Sequence, residues 1–344
     1  MINVGIVGAG LIGTKRAKVI SEDVNSQLVA VSDINIEKAK ALEQYCKIKD
    51  NGCQYRVYQD WQKMLDDENI DVIIASTPNC LLAPVTIAAA ESGKHVLSEK
   101  PLGRNPEEAS KMVDASEKNN VLLRVGFNHR YHPAYRKLVE FYQKGEIGDI
   151  YFIRARYGHG ARPGFEKEWR ANPEIAGGGE LLDQGVHIID LARNLMGCFT
   201  EVFGFVSTFD WNINPLEDNG FALLKNSEGK VFSMHASWTQ WNNLFSFEVY
   251  GSKGFLKMEG LGRSYGTETL RIGWRKPESG PPDEDLLVFN GTDQSFKLEW
   301  QDFIKSIITG SPNKVTGNDG LQAVRLVYAI YESSKTGRKV TGKW

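Results

Sequence analysis

Ile2-Asn-Val-Gly-Ile-Val7, running on into Gly8-Ala9-Gly10-Leu11-Ile12-Gly13, is the stretch that decides the fold. Its first part is short, β-branched and nearly all apolar, the pattern of a parallel strand buried on both faces. The glycines then change the geometry. Gly8 permits a tight turn, Gly10 lets backbone approach a pyrophosphate, and Gly13 lets a helix pack on the strand. The helix opening at Leu11 and Ile12 offers free N–H groups and a positive dipole end to phosphates. Asp33 ends the next apolar run, twenty residues beyond Gly13, where an acid grips a ribose 2′-hydroxyl. Its charge would repel a 2′-phosphate and no Arg follows it, so the cofactor expected is NAD. Capping the next helix is the other task open to Asp33, and Asn35 can do that as well.

The same grammar continues to residue 125. Apolar runs at Leu28–Ser32, Val72–Ala75, His95–Ser98 and Val121–Val125 alternate with helical patterns over Leu11–Ser21, Ile36–Cys46, Trp61–Asp66, Leu81–Ser92 and Pro106–Lys118. Asn105 and Glu108 make a capping box around Pro106, and Gly93 stands where a helix ends. Strict alternation predicts an α/β domain over 1–125, a doubly wound parallel sheet of the Rossmann type. From 126 to 344 strands dominate: Ile150–Tyr157, Glu201–Phe209, Phe221–Lys225, Lys230–Trp238, Phe245–Tyr250 and Phe255–Glu259, with helices at Ala134–Gln143 and Gly179–Asn194. Asn226–Gly229 and Gly251–Gly254 read as hairpin turns. This predicts an α+β domain with a large open, mostly antiparallel sheet. Lys276–Asp285 reads as a surface excursion, and helices at Phe296–Thr309 and Leu321–Thr336 close the chain. A sheet face free of helices needs covering, so a homodimer or homotetramer joined sheet to sheet is expected.

Composition narrows the classes. Lys plus Arg number 41 against 43 Asp plus Glu among 344 residues, with no basic stripe, so no nucleic-acid partner is expected. No apolar run has the length of a membrane span; Leu81–Ala90 is short and holds Pro84 and Thr86. Cys46, Cys53, Cys80 and Cys198 form no Cys-x-x-Cys pair, which predicts free thiols and no metal site. The N-terminal segment lacks a basic region and a cleavage site, and the expected location is the cytoplasm.

Two clusters carry chemistry. Lys100, in Glu99-Lys100-Pro101, stands at the carboxyl end of the fifth apolar run, where open α/β sheets bind ligands. Spacing alone leaves it between a surface lysine and one that meets a substrate hydroxyl. In Gly177-Gly-Gly-Glu-Leu-Leu-Asp183-Gln-Gly-Val-His187-Ile-Ile-Asp190, Asp183 and His187 are one helical turn apart and share a face. A helical His is structural or, oriented by an Asp, an acid–base group. The glycines before them permit close approach of another molecule.

The chain resembles the glucose–fructose oxidoreductase / inositol dehydrogenase family. The likeness rests on the fingerprint, Thr77-Pro78-Asn79, Gly93-Lys-His-Val-Leu-Ser-Glu99-Lys100-Pro101, Gly126-Phe-Asn128-His-Arg-Tyr131, Gly148-Asp-Ile150 and the cluster ending at His187. It implies a catalytic trio of Lys100, Asp183 and His187, and hydride transfer between a nicotinamide and a sugar, sugar-nucleotide or cyclitol carbinol. It also implies that Thr77, Asn79, Glu99, Lys100 and Asn128 join the glycine loop and Asp33 around the cofactor. Many members carry a His at the position of Leu82, so one cofactor-side contact departs from the pattern. The loop Tyr157–Arg170 supplies Arg162, Trp169 and Arg170 as further substrate-binding candidates, against the reading of a solvated basic–aromatic loop. Two rivals remain: a dinucleotide- and sugar-sensing regulator without turnover, and a sugar–sugar oxidoreductase with tightly held cofactor.

Overall fold

The computed structural model describes residues 1–46 and 55–344, so Cys53 lies outside the described residues. Cys46, whose thiol donates to the Leu28 carbonyl, and Cys80 are half-buried, and Cys198 is exposed. The chain forms two compact units, Met1–Phe127 with Phe296–Leu321, and Asn128–Ser295 with Gln322–Trp344.

The first unit holds six parallel strands: β1 (Ile2–Val7), β2 (Ser26–Ser32), β3 (Arg56–Tyr58), β4 (Val72–Ala75), β5 (His95–Ser98) and β6 (Leu123–Val125). Their order, β3-β2-β1-β4-β5-β6, reverses direction between β1 and β4. That switch point puts the carboxyl ends of β1 and β4 side by side, the crevice where such sheets bind ligands. β3 escapes the sequence reading because its three residues are all half-buried and show no alternation.

Helix Ser295–Thr309, assigned by sequence order to the second domain, contributes to the first unit. Its Trp300, Phe303 and Ile304 are fully buried among Val4, Ile6, Leu28, Val72 and Leu97. Charges secure it as well as apolar area. Arg16, fully buried, donates to Glu299 Oε2 at 2.6 Å, and Arg124 donates to the Glu299 carbonyl at 2.9 Å. Removing one partner of such a buried pair leaves an uncompensated charge, which costs about 3–5 kcal/mol.

The second unit is built on a nine-stranded sheet: β7 (Ile150–Gly158), β8 (Phe199–Ser207), β9 (Asn219–Asn226), β10 (Val231–Ser237), β11 (Leu244–Gly251), β12 (Gly254–Glu259), β13 (Glu268–Trp274), β14 (Asp283–Phe289) and β15 (Val340–Thr341). The order is β14-β13-β12-β11-β7-β10-β9-β8-β15, and only the β7–β10 pair runs parallel. The expected excursion at Lys276–Asp285 is instead the turn of a β13–β14 hairpin and the start of β14. Asp283 to Leu286 are all exposed, so no buried face imprints a period on that strand. Elsewhere the alternation is clear. In β9, Ala222 and Leu224 are buried while Phe221 and Leu223 point outward, 38% and 53% exposed. With Phe205, Leu286 and Val288 they leave apolar side chains on the outer face.

Candidate active site

Within the first unit the ligand-facing residues gather at the carboxyl ends of the strands. Gly8, at φ +97°, could not carry a Cβ, which would lie 2.5 Å from the Ser76 carbonyl oxygen. A Cβ on Gly13 would lie 2.0 Å from the Gly8 carbonyl oxygen, so this glycine seats the helix Leu11–Glu22 on the turn. Gly10 differs: a Cβ there would meet nothing within 4 Å. The chain itself makes no demand for glycine at that point, as expected where another molecule approaches. No side chain caps the helix at Gly10, so its first N–H groups stay available to phosphate oxygens. Asp33 Oδ2 accepts from Ala9 N at 2.7 Å, which ties the acid to the glycine turn, and Oδ1 accepts from Asn35 N at 2.8 Å. Helix capping falls to Asn35, whose side chain accepts from Glu37 and Lys38.

After β4, the buried Thr77 hydroxyl has no hydrogen-bond partner, an orphan that a cofactor polar group can satisfy. Asn79 is 6% exposed at the start of helix Asn79–Glu91, and Leu82 is fully buried in it. After β5, Glu99 continues the ladder by donating its N–H to Ala75, and its Oε1 accepts from Arg16 Nε and Nη2 at 2.8 and 2.7 Å. A buried guanidinium thus fixes the backbone that presents Lys100, half-buried and followed by a cis bond to Pro101. Glu99 Oε1 is committed to this brace.

The second unit carries the cluster of Asp183 and His187. Leu181–Gly185 form a π-helical turn and Val186–Met196 continue as α-helix, so Asp183 lies in a wider turn than the one its spacing predicts. Such insertions recur at functional sites. His187 is 4% exposed, its ring stacked on His129 at 3.7 Å and 14°. His129 Nδ1 bonds Asn128 Oδ1 at 3.2 Å, and Asn128 Nδ2 donates to Ser295 Oγ at 2.8 Å. The Asn128 amide expected to meet the cofactor is therefore engaged in orienting an imidazole. Tyr157, edge-on to His187, hydrogen-bonds Tyr265, which accepts from Gln184 Nε2 at 3.3 Å. Burial pushes Tyr157 well above the ordinary tyrosine range, and burial with the Glu180 and Asp183 carboxylates pushes Tyr265 up to about 12.

Arg170 stacks on Trp169 at 4.5 Å and brings Nε to 3.5 Å from Asp183 Oδ2. Arg162 is 70% exposed at its side chain and paired with Glu168 at 2.7 Å. The loop therefore delivers one of its two arginines to Asp183. Asp190, which ends the quoted motif, has both carboxylate oxygens bound by Arg130, at 2.7 and 2.5 Å, a structural brace. His129 and Tyr265 were missed as site residues; His129 lies inside a quoted motif, whereas no local signal marks Tyr265.

The family model for an oxidoreductase family with an NAD-binding Rossmann fold matches residues 2–127, and the GFO/IDH/MocA C-terminal domain model matches 135–257. The chain belongs to this Gfo/Idh/MocA family and is an NAD-dependent oxidoreductase. It is 31% identical over 317 residues to levoglucosan dehydrogenase of Pseudarthrobacter phenanthrenivorans, covering 80% of each chain. It is 26% identical over 355 residues to myo-inositol 2-dehydrogenase of Thermotoga maritima, covering 98% of each. A solved structure of levoglucosan dehydrogenase with NADH and L-sorbose matches with a TM-score of 0.88 at 26% identity, over 99% of this chain and 98% of that one.

Proposed function

We propose that the protein oxidises a carbinol of a sugar, sugar nucleotide or cyclitol, or runs the reverse reduction. The observation that carries this reading is the buried His187 on the helix that also bears Asp183, with a guanidinium 3.5 Å from that carboxylate. His187 takes the hydroxyl proton, Asp183 orients it, and Lys100 stabilises the developing alkoxide. NAD supplies the hydride acceptor. Gly8, Gly10, Leu11, Ile12 and Gly13 hold its pyrophosphate and Asp33 a ribose, while Thr77, Asn79, Glu99 and Lys100 serve its remaining polar groups; Asn128 is left to His129 and Ser295. Trp169 offers the substrate an aromatic face and Arg170 a charged fork; Arg162 belongs to the loop's rim. In this reading residues 1–125, with the helix Ser295–Thr309 packed on their sheet, form the cofactor unit, and the rest of 126–344 binds substrate and joins protomers. The outward Phe205, Phe221 and Leu223 support a homodimer or homotetramer closed over the sheet. The free thiols of Cys80 and Cys198 support a reducing, cytoplasmic setting; among the described residues no helix is long and apolar enough to cross a membrane.

The test is incubation with NAD and a panel of anhydrosugars, aldoses, inositols and sugar nucleotides, following reduced nicotinamide by absorbance. Turnover of at least one carbinol is expected. NAD binding without turnover of any member would favour the sensing regulator. Cofactor that stays with the protein through dialysis would favour the closed sugar–sugar cycle.

A further inference from the structure

Gly177, Gly178 and Gly179 lead into the helix of Asp183 and His187, and each is explained by the protein itself. Gly177, at φ +81°, ends the short helix Pro173–Ala176. A Cβ on Gly178 would lie 2.5 Å from the Tyr331 hydroxyl, and one on Gly179 would lie 1.9 Å from the Glu217 carbonyl oxygen. What Gly178 and Gly179 let approach are the protein's own Tyr331 and Glu217.

Glu217 is 5% exposed and meets the helix start with every acceptor it has. Its carboxylate accepts from Gly179 N at 3.1 Å and from Leu181 N at 3.0 Å, and its carbonyl accepts from Glu180 N at 3.1 Å. The Tyr331 hydroxyl donates to the same Oε1 at 2.8 Å. One residue thereby answers three consecutive amides that a helix start leaves without partners. A carboxylate also suits the positive end of a helix. Burial pushes the Glu217 carboxyl up, and the hydrogen bonds from Tyr331 and the amides hold it back. The next residue, Asp218, accepts from the amides of Phe209, Asp210 and Trp211, and the Trp211 ring packs edge-on to Phe165 of the substrate loop.

We infer that Glu217, with Tyr331 behind it, is a positioning residue for the oxidoreductase reaction: it anchors the first turn of the helix and so sets where Asp183 and His187 point. The argument lies in the turn itself. Asp183 donates its N–H to the Gly179 carbonyl at 2.9 Å, so the acid hangs directly from the residue Glu217 holds. The following turn is π-helical, and the amides that Glu217 takes fix where that wider turn begins. The inference rests on Asp183 and His187 being the acid–base pair proposed above.

The experiment compares Glu217→Ala, Glu217→Gln and Tyr331→Phe with the unaltered chain. Two readouts need no substrate. Deuterium uptake at 178–185 should rise in Glu217→Ala while β1 and β4 keep their protection. The His187 ring cross-peak in histidine-labelled protein, assigned by its loss in His187→Asn, should move while that of His95 stays. With a carbinol found by the panel, Glu217→Ala should lower kcat about 100-fold, the cost of a misplaced group, and change KM by no more than about threefold. Glu217→Gln, which keeps an oxygen acceptor, should restore most of the loss, and Tyr331→Phe should lie between. An unmoved His187 signal, or kcat within about twofold of normal at unchanged NAD affinity, overturns the inference. Absence of any turnover by the unaltered protein counts against the proposed function alone, since uptake and the ring signal still decide this one. Where Glu217→Ala fails to fold, Tyr331→Phe and Glu217→Gln carry the same readouts.

Discussion

Two glycine-rich turns each introduce a helix in this chain, and they obey opposite constraints. In Gly8–Gly13 the middle glycine faces open space, with nothing within 4 Å of where a Cβ would stand. In Gly177–Gly179 two glycines are pressed against Glu217 and Tyr331. The first turn keeps its donors for a ligand; the second spends them inside the protein. The same sequence signal therefore marks an open turn in one unit and, in the other, a turn packed against the protein's own Glu217 and Tyr331 ahead of Asp183 and His187. What separates them is the identity of the neighbour, which only the fold supplies.

The largest effect expected is from putting a methyl into each turn. Gly179→Ala drives a Cβ into backbone that cannot yield, so stability should fall by about 3 kcal/mol with turnover lost. Gly10→Ala should cost stability less than about 1 kcal/mol, as a changed helix cap does, yet weaken NAD roughly tenfold. Thermal melts and NAD titration of both variants check this. Equal losses of stability in the two would erase the distinction.

Lys100→Ala comes next. Losing one group that stabilises developing charge costs about 100–1,000-fold in turnover, with NAD affinity little changed. Steady-state kinetics with the substrate found by the panel measures it. Turnover above about a third of normal would remove Lys100 from that role. Asp33→Ser with Ile34→Arg should act more gently. The unaltered chain should prefer NAD strongly, and the double variant should narrow its gap to NADP by removing a carboxylate and adding a phosphate partner. Parallel titrations with both cofactors give the ratio.

How much of this could be read from the chain follows the same line. The fingerprint, Asp33 and the Asn105 cap were legible because each is a local arrangement with a local physical reason; the box did not close as expected, since Glu108 accepts from Arg104 N instead of Asn105 N. Arg170 and Asp183 were named as candidates, but their pairing at 3.5 Å was not, since nothing periodic joins a loop to a helix. Glu217 was invisible for the same reason: it lies 38 residues after the amide it caps. Helix Ser295–Thr309 was misassigned because Glu299 finds Arg16 across 283 residues, and no window spans that. β14 failed for want of a buried face. Asp183 and His187 were correctly placed on one helix, but the π turn between them leaves no mark in hydrophobic spacing.

The smallest expected effect concerns the half-buried Tyr265 of the second unit. Tyr265 is raised from the usual 10.0 to about 12, chiefly by burial, with Glu180 and Asp183 adding to it and the Gln184 and Tyr157 hydrogen bonds opposing. The sign follows directly. An unfolded tyrosine gives up its proton near 10.0 while the folded one holds it to about 12, so between those values the folded chain binds more protons. Whatever stability this tyrosine contributes is present below 10.0 and is lost as pH rises through about 12. Alkaline melts of Tyr265→Phe should therefore lose part of the decline that the unaltered protein shows over that window. A tyrosinate absorbance appearing near 10.0 from Tyr265 would mean that water reaches it, and the contrast between an open loop in one unit and an internally answered cluster in the other would weaken.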